Sequence, residues 1–304
     1  MSKNVFLFSG QGSQYVGMAK ELYDSCDGAK EVFKKASEVL GYDLAEIVFN
    51  GPDTELNKTI YSQPAIMACS LAALEAVKEK GIGFEAVAGH SLGEYAAMVA
   101  AGVVSIEDGF KLIKARAEAM QEAAEKNAGA MCAVLKLTAE EIEKVCEETE
   151  GYVVAVNYNS PAQTVIAGEV EAVDKAIETF TSMKARCMKL NVASAFHSKM
   201  MESAAEKFIE TAKTVTFNTP TVEFYSNVLG KKLDDFSDMP SLLAKHIVSP
   251  VKFTSELSEM DKAGYDTFIE LGPKNVLSGL VKKTLSDKAV FNVENLKTLE
   301  SIEL

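Results

Sequence analysis

The stretch GHSLGEYAAMVAAG, residues 89–102, constrains the fold of this chain most, because it places a serine between two glycines. The short apolar run FEAVAG at residues 84–89 precedes it and is typical of a strand, while the residues that follow are typical of a helix. A G-x-S-x-G sequence between a strand and a helix forms a sharp turn that only small flanking residues tolerate. Such a turn exposes the serine hydroxyl beside free backbone N–H groups. We therefore predict that Ser91 is a nucleophile.

Short apolar strands alternate with longer helices in the first part of the chain. Residues 5–8 are predicted as a strand, residues 29–40 as a helix closed by Gly41, and residues 64–80 as a helix with proline in its first turn. This alternation predicts an α/β fold with a mainly parallel sheet covered by helices.

The middle of the chain, from about residue 127 to residue 192, follows the different order βαββαβ. That order is typical of a ferredoxin-like unit. We therefore predict a large α/β domain formed by residues 1–126 and 194–304, with residues 127–193 as an inserted ferredoxin-like small domain. The predicted elements after the insertion are a helix at 199–213, strands at 222–228 and 267–271, and a helix after Gly272-Pro273. The last dozen residues are predicted as a loose or docked tail.

Composition limits the kinds of binding partner that this protein can have and indicates its cellular compartment. The net charge of −13 disfavours binding to phosphate backbones, so we expect no nucleic acid partner. No uninterrupted apolar stretch approaches the roughly 18 residues of a membrane span, and the N-terminus lacks the apolar core of a signal peptide. The five cysteines are scattered without a CxxC pair, and we interpret them as reduced thiols, neither disulfides nor a metal site. We expect a cytoplasmic protein that does not contact a membrane.

A nucleophilic serine needs a base, and the chain contains three histidines. His90 is adjacent to Ser91 and is expected to point away, and His246 precedes a proline turn. His197 stands where the predicted insertion ends and a helix begins, so we favour it as the base. In the order serine, acid, histidine, only Asp108 and Asp174 are aspartates between the two, and neither is well placed. A backbone carbonyl is the alternative partner, which leaves a dyad.

GQGSQ at residues 10–14 is compared with a dinucleotide-binding loop, but Tyr15 occupies the position where that fingerprint requires glycine. We therefore expect no cofactor. The backbone N–H of Gln11 is instead a candidate oxyanion donor.

Among 31 basic residues, only Arg116 and Arg186 are arginines. Arg116 shares a helix row with Leu112 and Met120, so we expect it to face inward and bind a carboxylate bidentately. The alternative is a surface pair with Glu118 or Glu122.

Several motifs together resemble one family over nearly the whole chain. They are FSGQGSQ at 8–14, YSQPA at 61–65, GHSLGEY at 89–95, Arg116 before AEAMQEA, VNYNSPAQTVIAG at 156–168, FHSKMM at 196–201 and ELGPKNVLSGL at 270–280. In this order they resemble the malonyl-CoA:acyl carrier protein transacylases. The resemblance implies a hydrolase-like large domain with a ferredoxin-like insertion.

The resemblance also implies ping-pong transfer of the malonyl group from malonyl-CoA to holo-acyl carrier protein, which supplies extender units for fatty acid synthesis. Ser91 would attack the thioester and His197 would take its proton. The N–H groups of Leu92 and Gln11 would hold the oxyanion, and Arg116 would bind the malonyl carboxylate.

Further positions follow from the same resemblance. The family orients its histidine with a main-chain carbonyl, usually from glutamine, and His246 occupies that position here. Gln63, Asn159 and Met120 are expected at the substrate pocket, with a structural hydrogen-bonding role as the alternative for Gln63 and Asn159. Phe196 would crowd an α-methyl branch and so favour malonyl over methylmalonyl.

Three other functions stay open at this point. They are a serine acyl-thioester hydrolase, a discrete acyltransferase that serves a polyketide or polyunsaturated fatty acid synthase, and a non-catalytic binding module. A monomer is expected. Because both the carrier protein and this chain are anionic, we interpret a basic group around the domain junction as a docking rim. Its residues are Lys184, Arg186, Lys189 and Lys199.

Overall fold

A computed structural model describes residues 3–192 and 194–303 of the chain. The described strands are β1 (Asn4–Phe8), β2 (Ala86–Gly89), β3 (Ala130–Leu135), β4 (Val153–Ser160), β5 (Gln163–Gly168), β6 (Arg186–Lys189), β7 (Glu223–Ser226), β8 (Lys231–Lys232), β9 (Thr267–Leu271) and β10 (Ala289–Val293). The described helices are α1 (Lys20–Ser25), α2 (Asp27–Leu40), α3 (Leu44–Asn50), α4 (Asp53–Leu56), α5 (Thr59–Glu79), α6 (Gly93–Ala100), α7 (Ile106–Lys126), α8 (Ala139–Glu148), α9 (Val170–Ser182), α10 (Glu202–Ala212), α11 (Met239–Val248), α12 (Phe253–Lys262), α13 (Val276–Thr284) and α14 (Leu296–Glu300), with a 3-10 turn at Lys199–Met201.

The larger sheet has the strand order β10-β9-β1-β2-β7-β8 and is parallel except for β8. Every residue of β1, NVFLF, is buried, as is every residue of β9. Strands that helices cover on both faces are apolar along their whole length instead of alternating. The predicted mainly parallel α/β fold is therefore confirmed.

Helix α5 lies in the core and contacts α2 and α7. It begins one turn earlier than predicted, so Pro64 lies inside it instead of at its first turn. It is long and apolar enough to cross a membrane, but 83% of its most apolar 18-residue window is buried inside the protein. This burial identifies α5 as a core helix.

The second sheet is antiparallel, with the order β4-β5-β3-β6, and helices α8 and α9 pack on it. Strand β5 separates β3 from β4, which is the split βαβ arrangement predicted for this region. These elements bury a hydrophobic cluster of their own. The exact domain limits stay a prediction, and the boundary at residue 193, like residues 1, 2 and 304, lies outside the described residues.

The C-terminal region is more ordered than the sequence indicated. Strand β10, which the sequence analysis missed, pairs in parallel with β9 at the edge of the larger sheet. Most of β10 is only partly buried, so its apolar signal is weak. Helix α14 follows with a capping box of Asn295 and Thr298, and Lys80 Nζ donates to the carbonyl of Leu299 at 2.7 Å. Helix α14 also contacts β10, so the described part of the tail is docked at the edge of the larger sheet.

Several turns meet at the carboxyl edge of the larger sheet. Residues 9–11 follow β1, Ser91 follows β2, and Asn227 follows β7, which is the neighbour of β2. In open parallel sheets this edge is where ligands bind. The parallel topology therefore brings distant parts of the chain together around Ser91.

Candidate active site

Ser91 occupies a strained turn between β2 and α6. Its φ is 55°, in the left-handed region that non-glycine residues rarely adopt. A Cβ atom at Gly89 would lie 2.0 Å from the carbonyl carbon of Gly93, and one at Gly93 would lie 2.1 Å from the carbonyl oxygen of Phe8. Both positions therefore require glycine, because the turn packs directly against itself and against β1.

His197 follows the second sheet in the chain, whereas Ser91 precedes it, yet the two side chains meet. Its Nε2 lies 2.6 Å from Ser91 Oγ, and the residue as a whole is 4% exposed. His197 Nδ1 lies 3.0 Å from the carbonyl oxygen of His246 and 3.1 Å from that of Ser249. Because a carbonyl only accepts hydrogen bonds, Nδ1 carries the hydrogen, and the lone pair of Nε2 is free to accept the serine proton.

No aspartate or glutamate orients His197 among the described residues. Asp108 starts α7 and pairs with Lys111, and Asp174 pairs with Lys189 on β6. The arrangement is therefore a serine–histidine dyad in which main-chain carbonyls replace the acid.

Arg116 contacts the same serine from α7. Its Nη2 donates to Ser91 Oγ at 3.0 Å, its Nη1 donates to Gln63 Oε1 at 2.7 Å, and its guanidinium lies 5.5 Å from the centre of the Tyr95 ring. The side chain is 1% exposed, which rules out the surface pair with Glu118 or Glu122. Both hydrogen-bond acceptors are neutral, and within the described part of the chain no carboxylate lies within ion-pair distance of this cation, although Glu94 acts on it electrostatically. A buried charge without an ion pair is costly.

Gln63, Gln11 and Met120 lie beside Arg116. Gln63 Nε2 is 3.5 Å from Gln11 Oε1 and 3.6 Å from Met120 Sδ. The backbone N–H of Gln11 follows β1, and that of Leu92 opens α6. Neither N–H donates to a protein acceptor among residues 3–192 and 194–303. Both are therefore available to an oxyanion.

Asn159 and Phe196 are the other two predicted pocket residues. Asn159, on β4, lies 2.8 Å through Oδ1 from His90 Nε2, so it contacts the turn and not the dyad. His90 also packs edge-on against Phe253. Phe196 precedes His197 and is buried in the main hydrophobic core.

Burial lowers the pKa values of all three histidines. The pKa of His197 falls to about 3, first because of burial and then because of the Arg116 cation. Burial also lowers the pKa of His90, and burial together with His197 and Arg116 places that of His246 well below its ordinary value. At neutral pH the imidazole of His197 is therefore neutral and able to act as a base.

Sequence reasoning missed a buried polar cluster behind the dyad. Asn227, Glu94 and Glu256 are at most 2% exposed, and Asn227 donates a hydrogen bond to each of the two carboxyl groups. Glu94 belongs to the GHSLGEY motif and stands alone as a charge at the start of the apolar run YAAMVAAG, which was a usable signal. No sequence pattern around Asn227 or Glu256 indicates burial in a polar cluster, because their hydrogen-bond partners lie on other elements of the chain. Among the described residues no group of histidine, cysteine or carboxylate side chains is arranged to hold a metal.

Comparison with known proteins defines the class. The family model described as the acyl transferase domain matches residues 5–302. The chain therefore belongs to the acyl transferase family and is an acyltransferase.

Within that family the similarity is more specific. A protein of Bacillus subtilis (strain 168) named malonyl CoA-acyl carrier protein transacylase is 40% identical over 99% of this chain and 96% of its own length. A Clostridium perfringens crystal structure of the same name has a TM-score of 0.94 at 42% identity, covering 98% of this chain and 95% of that one. A structure described as a type II PKS acyl-carrier protein in complex with its malonyl-transacylase has a TM-score of 0.94 at 36% identity and covers 99% and 98%. The chain groups with the malonyl CoA-acyl carrier protein transacylases.

Proposed function

We propose that this enzyme transfers the malonyl group of malonyl-CoA to the phosphopantetheine thiol of acyl carrier protein through an ester on Ser91. The observation that carries this proposal is the convergence on one hydroxyl oxygen of His197 Nε2 at 2.6 Å and Arg116 Nη2 at 3.0 Å. The first contact supports nucleophilic attack, and the second supports an anionic acyl group beside the nucleophile. The names of the relatives supply the substrate class.

In the first half-reaction, His197 Nε2 takes the proton of Ser91 while Oγ forms a bond to the thioester carbonyl carbon. The carbonyl oxygen becomes an oxyanion, which the N–H groups of Leu92 and Gln11 hold. One such donor typically contributes about 2.7 to 4 kcal/mol to the rate. The carbon–sulfur bond then breaks, and the imidazolium returns the proton to the sulfur of coenzyme A.

In the second half-reaction, the same imidazole removes the proton from the thiol of the carrier protein. The thiolate sulfur attacks the Ser91 ester, the carbon–oxygen bond breaks, and the proton goes back to Oγ. Coenzyme A and the carrier protein therefore use one site in turn, which is a ping-pong mechanism.

Arg116 is proposed to bind the free carboxylate of the malonyl group. A buried guanidinium whose hydrogen-bond acceptors are both neutral is stabilised by an incoming anion. Its charge is also one cause of the low pKa of His197, so a bound carboxylate raises that pKa towards the range in which a base works well. Gln63 holds the guanidinium, and Met120 and Phe196 are assigned to the apolar wall, where Phe196 crowds an α-methyl branch.

The carrier protein is proposed to dock on the basic rim of Lys184, Arg186, Lys189 and Lys199. All four residues are exposed, and Lys199 follows the base by two positions in the chain. Lys189 is partly neutralised by Asp174, and Lys199 lies 4.1 Å from the centre of the Tyr152 ring. A local positive rim would orient an anionic carrier against the net charge of −13. The enzyme is proposed to act as a cytoplasmic monomer without nucleic acid or membrane partners.

Mass spectrometry of the protein after exposure to malonyl-CoA tests the proposal. A malonyl adduct is expected on the peptide that contains Ser91, and the Ser91→Ala variant should not form it. Addition of holo-acyl carrier protein should then transfer the group to the carrier. Release of free malonate at an equal rate with and without the carrier would contradict transfer and establish a hydrolase, and absence of any adduct would point to a binding module.

A polyketide carrier is a second candidate acceptor. The observation that favours it is the high structural similarity to the malonyl-transacylase in complex with a type II PKS acyl-carrier protein. Comparison of kcat/KM for a fatty acid carrier and a polyketide carrier decides between them, and a clear preference for the polyketide carrier would reassign the pathway.

A further inference from the structure

We infer that Asn227 is a positioning residue that couples the turn carrying Ser91 to the residue whose carbonyl orients His197. This inference rests on the proposed function of the dyad. It is carried by the hydrogen bonds that one fully buried side chain makes to three other parts of the chain, at residues 89–91, at His246 and at Glu256.

Asn227 lies at the end of the strand next to β2 and contacts the turn that carries Ser91. It follows β7 directly, and β7 pairs with β2, whose end leads into the turn. Its Oδ1 accepts a hydrogen bond from the backbone N–H of Ser91 at 2.8 Å, and its Nδ2 donates to the carbonyl of Gly89 at 2.7 Å. One amide therefore holds the main chain on both sides of His90 and opposes relaxation of the strained Ser91 backbone.

These two main-chain contacts determine the orientation of the Asn227 amide. The Ser91 N–H only donates and the Gly89 carbonyl only accepts, so Oδ1 and Nδ2 cannot be exchanged. His246 Nε2 lies 3.2 Å from Oδ1, so Nε2 carries the hydrogen and donates to it. The side chain of His246 is therefore tied to the same oxygen atom that holds Ser91.

His246 connects this cluster to the base. Its carbonyl oxygen is 3.0 Å from Nδ1 of His197, while its ring contacts Asn227. On the other side of the ring, Nδ1 lies 3.1 Å from Oε2 of Glu94, without a well-aligned hydrogen bond. A shift of Asn227 therefore moves the nucleophile turn and the residue that orients the base together.

Two buried carboxyl groups hold Asn227 in turn. Its backbone N–H donates to Oε1 of Glu94, and its Nδ2 donates to Oε1 of Glu256 at 2.7 Å. Burial raises the pKa of both carboxyl groups, that of Glu94 to about 8. Residues of α6, α11 and α12 thus meet at one asparagine at the end of β7, behind the site. The backbone N–H, Oδ1 and Nδ2 of Asn227 all have hydrogen-bond partners, and such a network restricts this side chain to one arrangement.

The test replaces Asn227 and measures chemistry apart from binding. Asn227→Asp keeps an acceptor for Ser91 and His246 but has at most one hydrogen to donate where Asn227 donates to both Gly89 and Glu256, and Asn227→Ala removes all side-chain contacts. A misplacement of about 1 Å typically costs about 100-fold in rate, so we expect a fall of that order in the rate of Ser91 acylation by malonyl-CoA. The KM for malonyl-CoA should change little, because Arg116 and Gln63 are untouched.

Two further variants separate positioning from general stability. Val173→Ala removes buried volume from α9 in the smaller core, so it should lower the unfolding temperature without slowing acylation. Glu256→Ala removes one acceptor of Asn227 and should slow acylation by a smaller factor than Asn227→Ala. It also tests the inference if the Asn227 variants fail to fold.

These experiments distinguish failure of the proposed function from failure of the inference about Asn227. If the unaltered enzyme forms no adduct on Ser91, the proposed function itself is wrong. If the unaltered enzyme forms the adduct and the folded Asn227 and Glu256 variants are acylated at the same rate, the coupling is wrong and the proposed function stands. The same conclusion holds if these variants are no slower than Val173→Ala.

Discussion

Arg116 and His197 contact the same oxygen atom, the hydroxyl of Ser91, although Arg116 precedes the predicted small domain in the chain and His197 follows it. The guanidinium donates to this oxygen at 3.0 Å, and the imidazole nitrogen that would accept its proton lies at 2.6 Å. The cation therefore affects the base as well as the substrate, because it lowers the pKa of His197. Recognition of an anion and activation of the nucleophile are thus coupled in one small site.

This coupling predicts the acid limb of the pH profile. Because the pKa of His197 is lowered to about 3, its base form persists as the pH falls below its ordinary range. We expect kcat/KM for acetyl-CoA, which carries no acyl carboxylate, to show no acid limb near pH 6.5. In Arg116→Ala the limb should move to higher pH, since one cause of the lowering is removed. A limb at the same pH in both proteins would contradict the coupling.

Arg116→Ala should also change acyl selectivity. A charge-assisted hydrogen bond contributes on the order of 1.5 to 3 kcal/mol, so the preference for malonyl-CoA over acetyl-CoA should fall by about tenfold or more. Competition kinetics with the two thioesters measure it. Arg186→Ala is the matched control, because Arg186 is the only other arginine and is exposed. Unchanged selectivity in Arg116→Ala would remove the assigned role of Arg116.

The glycines of the turn should be sensitive to a single methyl group. A Cβ at Gly93 would lie 2.1 Å from the carbonyl oxygen of Phe8, so Gly93→Ala should lower the free energy of unfolding by about 3 kcal/mol, the upper end for overpacked sites. Gly279→Ala, in α13, meets nothing within 4 Å and should raise it by about 1 kcal/mol. Urea unfolding of both variants checks this, and equal effects would contradict the packing of the turn.

Glu94 should make stability depend on pH. Its pKa is about 8 in the folded protein because of burial, against an ordinary value near 4.5, so the folded state holds a proton that the unfolded chain releases. Its contribution to the free energy of unfolding is therefore present below about pH 4.5 and is lost as the pH rises to about 8. Glu94→Gln resembles the protonated form and cannot lose it.

Urea unfolding at several pH values between 5 and 8 tests this expectation. The stability of Glu94→Gln relative to the unaltered protein should rise across that range, by at most about 1.4 kcal/mol per pH unit. Glu122→Gln is the control: Lys126 and Lys207 lower the pKa of the exposed Glu122 to about 2, so its stability difference should stay constant there. A constant difference for Glu94→Gln would show that Glu94 is ionised in the fold.

The basic rim makes a prediction about the carrier protein alone. Neutralising Lys184, Arg186, Lys189 and Lys199 together should raise the KM for acyl carrier protein and reduce the dependence of that KM on salt. The rate of Ser91 acylation by malonyl-CoA should not change. Steady-state kinetics at two ionic strengths measure both, and an unchanged KM would exclude the rim as the docking surface.

Local sequence was sufficient wherever one short segment determines its own conformation. The turn at Ser91 follows from glycines at 89 and 93, and the split βαβ unit follows from the order of its apolar runs. The edge strand Ala289–Val293 was missed because it is only partly buried, and the start of α5 was misplaced because Pro64 was interpreted as a first-turn residue. Each error arose where burial and long-range pairing override local preference.

The sequence by itself determined which residue types were available: one serine in a strand-to-helix turn, three histidines and two arginines, of which one lies in an apolar helix row. Only the tertiary structure decided that His197 and Arg116 meet at Ser91, that carbonyls of His246 and Ser249 orient the base, and that Asn227 lies behind both. The physical reason is that hydrogen bonds act over about 3 Å. The parallel pairing of β2 with β7 brings Asn227 beside Ser91, and the packing of α7, α11 and the segment around His197 brings the other partners, which no local pattern specifies.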